Sequence, residues 1–146
     1  MKMNLTWQDR MVFVASAAGC ETKMDAKAPI GQGSALTPKE LVLAGLCGCT
    51  AMDVIALMRK HKQKVTRFEV KADASVSEGG HPVVFTAATL TFELDGEVDP
   101  SRALEAVRLS QTQYCGVSAM LSKALPIRWE LVVNGTPVAQ GQAEFA

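Results

Sequence analysis

Four cysteines hold the reactive chemistry of this chain: Cys20, Cys47, Cys49 and Cys115. A cysteine thiolate is a nucleophile, and two thiols that meet can be oxidised to a disulfide. Cys47 and Cys49 form C-x-C rather than the C-x-x-C of a zinc site, and neither a His-x-x-x-His motif nor a second cysteine pair accompanies them. The sequence therefore predicts neither a metal nor another cofactor, and single thiols remain as the candidates.

The composition is that of an ordinary globular protein of 146 residues, and we expect one domain over residues 1–146. Fifteen basic residues balance fifteen acidic ones, which removes the long-range attraction that a nucleic acid or an anionic membrane would need. The first ten residues contain Lys2, Asp9 and Arg10 and no apolar segment of a secretory signal. We therefore expect a cytoplasmic protein, in which cysteines are more often inert or catalytic than structural.

A long helix is the clearest element that the pattern predicts. Thr37 and Glu40 form a capping box, with Pro38 at the first helical position. An apolar run over residues 41–58 follows, and the basic residues of 59–64 suit the negative end of the helix dipole. The run is nearly long enough to span a membrane, but Asp53 and the capped start argue against a membrane helix.

This helix is apolar on every side, so every side has to be buried, which a domain of this size can hardly achieve alone. Small residues give the helix a face that another backbone can approach closely: Ala44, Gly45, Gly48 and Ala51. We infer that part of the helix packs against a second copy of the chain. The alternative is a core helix that its own sheet covers.

The remaining segments predict a mixed α+β architecture. Two short strands are expected, over roughly residues 5–15 and 22–25, with a surface loop over 26–33 between them and the helix. Alternating residues predict a hairpin of strands over 67–76 and 84–94. Two helices are expected after Asp99 and around 117–124, then a last strand over 127–133 and a weakly structured tail over 135–146.

The cysteines occupy different positions on these elements. Residues two apart on a helix point in nearly opposite directions, so one of Cys47 and Cys49 is expected to be a packing residue. Cys49 shares a face with Asp53, which needs a cation or a backbone group as its partner. Cys115 lies at the start of a short helix, where free N–H groups favour a thiolate. Cys49 is well inside its helix, so a nearby cation would have to activate it.

Two stretches resemble the signatures of the OsmC/Ohr family. TPKELVLAGLCGCTAMDVIALMRK is similar to the central-helix signature, with Cys49 at the position of the family cysteine. LSQTQYCGVSAMLSKALPI is similar to the second signature, in which Cys115 opens a short helix. The resemblance covers most of the chain. It implies antiparallel sheets packed around a long central helix, in an intertwined homodimer with both cysteines near the subunit interface.

The resemblance also implies an activity, the thiol-dependent reduction of small hydrophobic hydroperoxides under oxidative stress. Cys49 would be the peroxidatic cysteine, which forms a sulfenic acid. Cys115 would be the resolving cysteine, which condenses with it to a disulfide that an external dithiol then reduces. The local sequence alone assigns the easier activation to Cys115, and the resemblance assigns it to Cys49.

The chain departs from the peroxidase pattern at its activating residues. Active members hold the thiolate with an arginine from an N-terminal loop and a glutamate just after the helix-start proline. That glutamate position carries Lys39 here, Glu40 comes one residue later, and Arg10 is the only N-terminal arginine. The pattern is closer to a poorly characterised OsmC-like branch, in which Lys39, Glu40, Arg10 and Asp53 are the candidate supporting residues.

Two alternatives to an enzyme remain open. In the first, the protein is a dimeric binding module for a small apolar ligand, with its cysteines as packing residues. Thiols of raised pKa and slow reaction with alkylating reagents would favour that function. In the second, the dimer has a purely structural role.

Overall fold

A computed structural model describes all 146 residues, which divide into two compact units, Met1–Ala44 and Gly45–Ala146. Two β-sheets and one long helix confirm the mixed α+β class. The first unit contains the start of the long helix, and the second contains Cys49 and Cys115.

The first unit contains a three-stranded antiparallel sheet in the order β1-β2-β3. Its strands are β1 (Asn4–Asp9), β2 (Val12–Ala17) and β3 (Cys20–Met24). The single strand that the sequence predicted over residues 5–15 is wrong, because Arg10 adopts φ 49° and the chain reverses there. A positive φ is the geometry of a tight turn, so one predicted strand becomes a hairpin.

The loop between β3 and the long helix is organised by one buried carboxylate, that of Asp25. Its Oδ1 accepts from the Ala26 N–H at 2.7 Å, and its Oδ2 accepts from the Ser34 N–H at 2.9 Å and the Ser34 hydroxyl at 2.7 Å. The Gln32 N–H adds a longer bond of 3.3 Å. The loop predicted over 26–33 is therefore present and has its own internal scaffold.

The long helix, α1 (Pro38–Lys60), begins with the predicted capping box. The Thr37 N–H donates to Glu40 Oε2 at 2.7 Å, and the Glu40 N–H donates to Thr37 Oγ1 at 3.3 Å. These bonds satisfy two of the donors that a helix start leaves free.

Full burial on α1 is confined to one stripe of residues spaced four apart: Leu46, Thr50, Val54 and Met58. By length and composition the helix could also cross a membrane, a test that the core helix of a soluble protein passes too. Only 22% of its most apolar stretch is buried within the chain. Most of this apolar helix is therefore only partly buried or exposed in the single chain.

The second unit contains a four-stranded sheet in the order β4-β5-β6-β7. Its strands are β4 (Lys64–Val76), β5 (Phe85–Glu97), β6 (Ile127–Val133) and β7 (Thr136–Gln142). The predicted hairpin is the antiparallel pair β4–β5. The pair β5–β6 is parallel, which differs from the expected antiparallel sheets. A parallel pair needs a long crossover, and the helices between β5 and β6 provide it.

The weakly structured tail expected over residues 135–146 is instead largely a strand. Asn134 and Gly135 both have positive φ, 48° and 76°, which is the geometry of a two-residue hairpin turn. The turn pairs β7 with β6, and the Trp129 ring covers the backbone of Gly141. The Asn-Gly dipeptide in the sequence indicates a hairpin turn, but the residues after it are too polar to show the pattern of a strand.

Three helical segments connect β5 to β6: α2 (Pro100–Leu109), a π-helical segment called here the π turn (Ser110–Tyr114), and α3 (Gly116–Leu121). Asp99 caps α2, as its position before Pro100 predicted. The core of this unit joins the buried stripe of α1 to apolar residues of β5 and β6, among them Leu90, Phe92, Leu94, Ile127 and Leu131. This packing places α1 beside the π turn and α3.

Candidate functional site

Cys49 and Cys115 meet in the second unit. Cys49 is half-buried on α1, and Cys115 is fully buried as the N-cap residue of α3. The Cys49 side chain lies close enough to Cys115 to raise the pKa of the Cys115 thiol, and both cysteines are free thiols. The fold therefore brings two thiols from distant segments of the chain close to each other.

The pKa of Cys115 is raised, and the largest cause is burial of the thiol. The hydroxyl and the N–H of Ser118 act in the opposite direction, and the N–H donates to Cys115 Sγ at 3.3 Å. The neighbouring Cys49 side chain raises the pKa further. The helix start was expected to favour a Cys115 thiolate. The N–H donor is present, but the loss of solvation raises the pKa by more than this donor lowers it.

Burial therefore disfavours the charged form of Cys115, although the helix-start N–H of Ser118 donates to its sulfur.

The other two cysteines lie apart from this pair. Cys47 packs against the hydrophobic core, and burial raises the pKa of its thiol. Cys20 is exposed on β3 in the first unit. The described residues contain no group of three or more His, Cys, Asp or Glu side chains placed to hold a metal ion.

A cluster of four polar side chains lies beside the cysteine pair, and we call it the polar cluster: Thr50, Asp53, Ser110 and Gln111. Gln111 Nε2 donates to Thr50 Oγ1 at 2.8 Å, and Thr50 Oγ1 lies 2.7 Å from Ser110 Oγ. The Ser110 hydroxyl donates to Asp53 Oδ2 at 2.9 Å. Because Ser110 uses its proton on Asp53, Thr50 is the donor to Ser110, and all the bonds run in one direction towards the carboxylate.

The partner of Asp53 differs from the sequence expectation. Neither a cation nor a backbone group was found at its carboxylate; a serine hydroxyl from the π turn donates to it. Sequence reasoning missed Thr50, Ser110 and Gln111, which are all fully buried. The available signal was that these polar residues stand at positions where the helical pattern demands apolar ones.

The remaining supporting residues lie in the first unit. Glu40 completes the capping box and forms an ion pair of 3.2 Å with Lys27, a partner that sequence reasoning did not name. The Thr37 N–H and then Lys27 hold the pKa of Glu40 below its usual value. Lys39 is exposed in the first turn of α1. Arg10 occupies the turn after β1 and accepts a hydrogen bond from the Trp7 indole at its carbonyl.

Known proteins are similar to this chain in sequence and in fold. Residues 31–130 match the family model described as OsmC-like protein. Protein YhfA of Escherichia coli (strain K12) is 33% identical over 129 residues, which cover 87% of this chain and 93% of YhfA.

Two solved structures show the same fold. The OsmC-like protein of Mycoplasma pneumoniae superposes with a TM-score of 0.78 at 12% identity, over 90% of this chain and 95% of that one. An organic hydroperoxide resistance protein of Vibrio cholerae, described as putative and with captopril bound in one of its active sites, superposes with a TM-score of 0.64 at 18% identity, over 94% of each chain. The family match spans more than half of the chain and includes both Cys49 and Cys115, so this protein belongs to the OsmC/Ohr family of OsmC-like proteins.

Proposed function

We propose that this protein is a cytoplasmic, homodimeric thiol peroxidase that reduces small hydrophobic hydroperoxides, with Cys49 as the peroxidatic and Cys115 as the resolving cysteine. The observation that carries the proposal is the closeness of the two free thiols, which makes Cys49 one of the causes of the raised pKa of Cys115. A resolving cysteine has to reach a sulfenic acid before a second peroxide molecule does. A thiol that already lies nearby is suited to that role.

The proposed reaction balances without a cofactor. The Cys49 thiolate attacks the terminal oxygen of the hydroperoxide, the O–O bond breaks, and the alkoxide takes a proton and leaves as an alcohol. The Cys115 sulfur then attacks the sulfur of the Cys49 sulfenic acid, the S–S bond forms, and water leaves. An external dithiol then reduces the Cys49–Cys115 disulfide by thiol–disulfide exchange and is itself oxidised to a disulfide.

The comparisons support the chemistry at the level of the fold family. The similar Vibrio cholerae structure is described as a hydroperoxide resistance protein with active sites, and a similar Legionella pneumophila structure as an organic hydroperoxide resistance protein and predicted redox protein. Both are under 25% identical to this chain. The activity is therefore carried over as a proposal that rests on the cysteine pair. The supporting roles of Lys39, Glu40, Arg10 and Asp53 remain predictions of the resemblance.

The homodimer is proposed from the uncovered part of α1. Val42 and Met52 are large apolar residues that stay exposed on this helix, the latter at 72% of its surface. Exposed apolar side chains on an otherwise apolar helix mark a surface that another chain covers. In the proposed homodimer, a second copy of the same chain covers this exposed surface of α1.

One experiment tests the peroxidase directly. Fully reduced protein is mixed with one equivalent of cumene hydroperoxide, the remaining thiols are blocked, and peptide mass spectrometry locates the disulfide. We expect a Cys49–Cys115 disulfide and one alcohol released per protein chain. Cys49→Ser should abolish alcohol release, whereas the matched variant Cys20→Ser should retain it. Four unmodified thiols after this treatment would refute the proposal.

A non-catalytic module for a small apolar ligand is the second candidate. The observation in its favour is that burial raises the pKa of both Cys47 and Cys115, as expected for packing residues. Native mass spectrometry of the purified protein separates the two functions. A co-purified apolar ligand together with unreactive thiols would favour the binding module, and rapid disulfide formation would exclude it.

A further inference from the structure

Ser110 connects the two segments that carry the cysteines. Its main-chain carbonyl accepts the Cys115 N–H at 3.0 Å, so it holds the backbone of Cys115 directly. Its side chain contacts Thr50 and Asp53, the residues one and four positions after Cys49 on α1. One residue therefore sets the distance between the backbone of Cys115 and the helix that presents Cys49.

The bond from Ser110 to Cys115 closes a π turn rather than an α-helical turn, because it spans five residues instead of four. π turns are uncommon, and they occur frequently at functional sites. Each residue of an α-helix adds a rotation of about 100° around the helix axis. If α2 continued as an α-helix with one residue fewer in this turn, the residues after it would point in a different direction by about that angle. The extra residue therefore allows Ser110 and Gln111 to face α1 while the chain leaves the turn with Cys115 against Cys49.

Burying the polar cluster costs more free energy than filling the same space with apolar side chains. Thr50, Ser110 and Gln111 are fully buried, and Gln111 Oε1 has no hydrogen-bond partner. Apolar side chains of the same volume would pack there without the cost of removing polar groups from water. Directional bonds, unlike apolar contacts, select one register between two segments. The cluster is suited to hold a turn in an uncommon conformation.

We propose that Ser110 is a positioning residue for the thiol pair, and that the hydrogen bonds Gln111–Thr50–Ser110–Asp53 raise the equilibrium constant for Cys49–Cys115 disulfide formation. In the reduced protein they hold the π turn, which keeps the Cys115 sulfur at a high effective concentration beside Cys49. Without them the turn relaxes and the effective concentration falls. The inference rests on the proposed function only in that these two cysteines have to pair.

Equilibration with a dithiol measures this property without any peroxide. In the exchange, the Cys49 and Cys115 S–H bonds are lost and the S–S bond forms, while the cyclic disulfide of dithiothreitol takes up two protons and two electrons and opens to the dithiol. The full chain is used with Cys20→Ser and Cys47→Ala, so that only the pair reacts. Acid quenching, alkylation and mass spectrometry then give the oxidised fraction at each ratio of dithiol to disulfide.

We expect Ser110→Ala to lower the equilibrium constant at least about fivefold, which is the scale of one lost buried hydrogen bond. Thr50→Val should act in the same direction, and it carries the test if Ser110→Ala fails to fold. Thr50→Ser keeps the hydroxyl and should restore the constant of the parent protein. Thr112→Val is the matched control, because Thr112 lies in the same π turn but is exposed and donates only to the Arg108 carbonyl.

The outcomes distinguish this inference from the peroxidase. If Ser110 has a purely structural role, Ser110→Ala lowers the melting temperatures of the reduced and oxidised forms equally. The equilibrium constant for disulfide formation then stays within twofold of the parent value, and this result overturns the inference. A lowered constant supports it even if the protein shows no turnover with hydroperoxides. A parent protein that forms no Cys49–Cys115 disulfide at any dithiol ratio overturns both.

Discussion

The N–H of Ser118 donates to the Cys115 sulfur at 3.3 Å, and burial nevertheless keeps the pKa of that thiol above its ordinary value. The two effects oppose each other at one atom. A helix of six residues offers the sulfur one N–H bond, whereas full burial removes the whole solvation shell that a thiolate would have. The thiolate form of Cys115 is therefore less favourable than that of a solvent-exposed cysteine.

Substitution at either neighbour should move the Cys115 pKa in a known direction. Ser118→Ala removes a hydroxyl that lowers the pKa, so the pKa should rise further. Cys49→Ser removes a partner that raises it, so the pKa should fall. The rate of Cys115 alkylation against pH, followed by peptide mass spectrometry, measures both. A Cys115 that reacts faster in Ser118→Ala than in the parent protein at pH 7 would contradict this account.

Asp25 should make the loop before α1 sensitive to acid. Hydrogen bonds from Ser34 are the main cause of its lowered pKa, so the folded pKa lies below the unfolded value of about 3.9. The stabilisation that Asp25 provides is thus fully present above that pH and is lost as the pH falls through the folded pKa. Asp25→Asn should remove this dependence and speed hydrogen exchange at the Ala26, Gln32 and Ser34 amides. Asp73→Asn, on the exposed face of β4, should leave those amides unchanged.

Met52 should be a sensitive position for the proposed dimer. A charge at a residue that is 72% exposed costs an isolated subunit little, but it would be buried and unpaired in an interface formed by α1. Met52→Glu should therefore weaken dimerisation at least tenfold, as measured by sedimentation. Val84→Glu places the same charge on an exposed apolar residue outside α1 and serves as the control. A parent protein that sediments as a monomer at all concentrations would contradict the homodimer.

Gly141 should not tolerate a side chain. A Cβ at this position on β7 would overlap the ring of Trp129, which is itself buried against the core. Gly141→Ala should lower the free energy of unfolding by about 1–3 kcal/mol, the usual cost of overpacking. Urea unfolding measures the change. Gly45→Ala is a useful contrast, because nothing in the chain lies near its added Cβ.

Local patterns were sufficient for the elements whose signals depend only on nearby residues. The capping box of Thr37 and Glu40, the Asp99 cap and the alternation along β4 each reflect hydrogen bonds or burial within a few residues, and the structure confirms all three. The expected strand over 5–15 was wrong because the short turn at Arg10 has no clear signal in its flanking residues. The expected weak tail was wrong because the residues after Asn134 and Gly135 are too polar to show the pattern of a strand.

The amino-acid order alone identified Cys49 and Cys115 as the residues of interest and provided the family resemblance, because both depend on motifs that are continuous in sequence. Only the folded chain decided that the pKa of Cys115 is raised, since burial and the closeness of Cys49 set that pKa. The same holds for Ser110 and Thr50, whose hydrogen bond joins α1 to the π turn. Desolvation and contacts between distant residues are properties of three-dimensional packing, and no local pattern in the sequence encodes them.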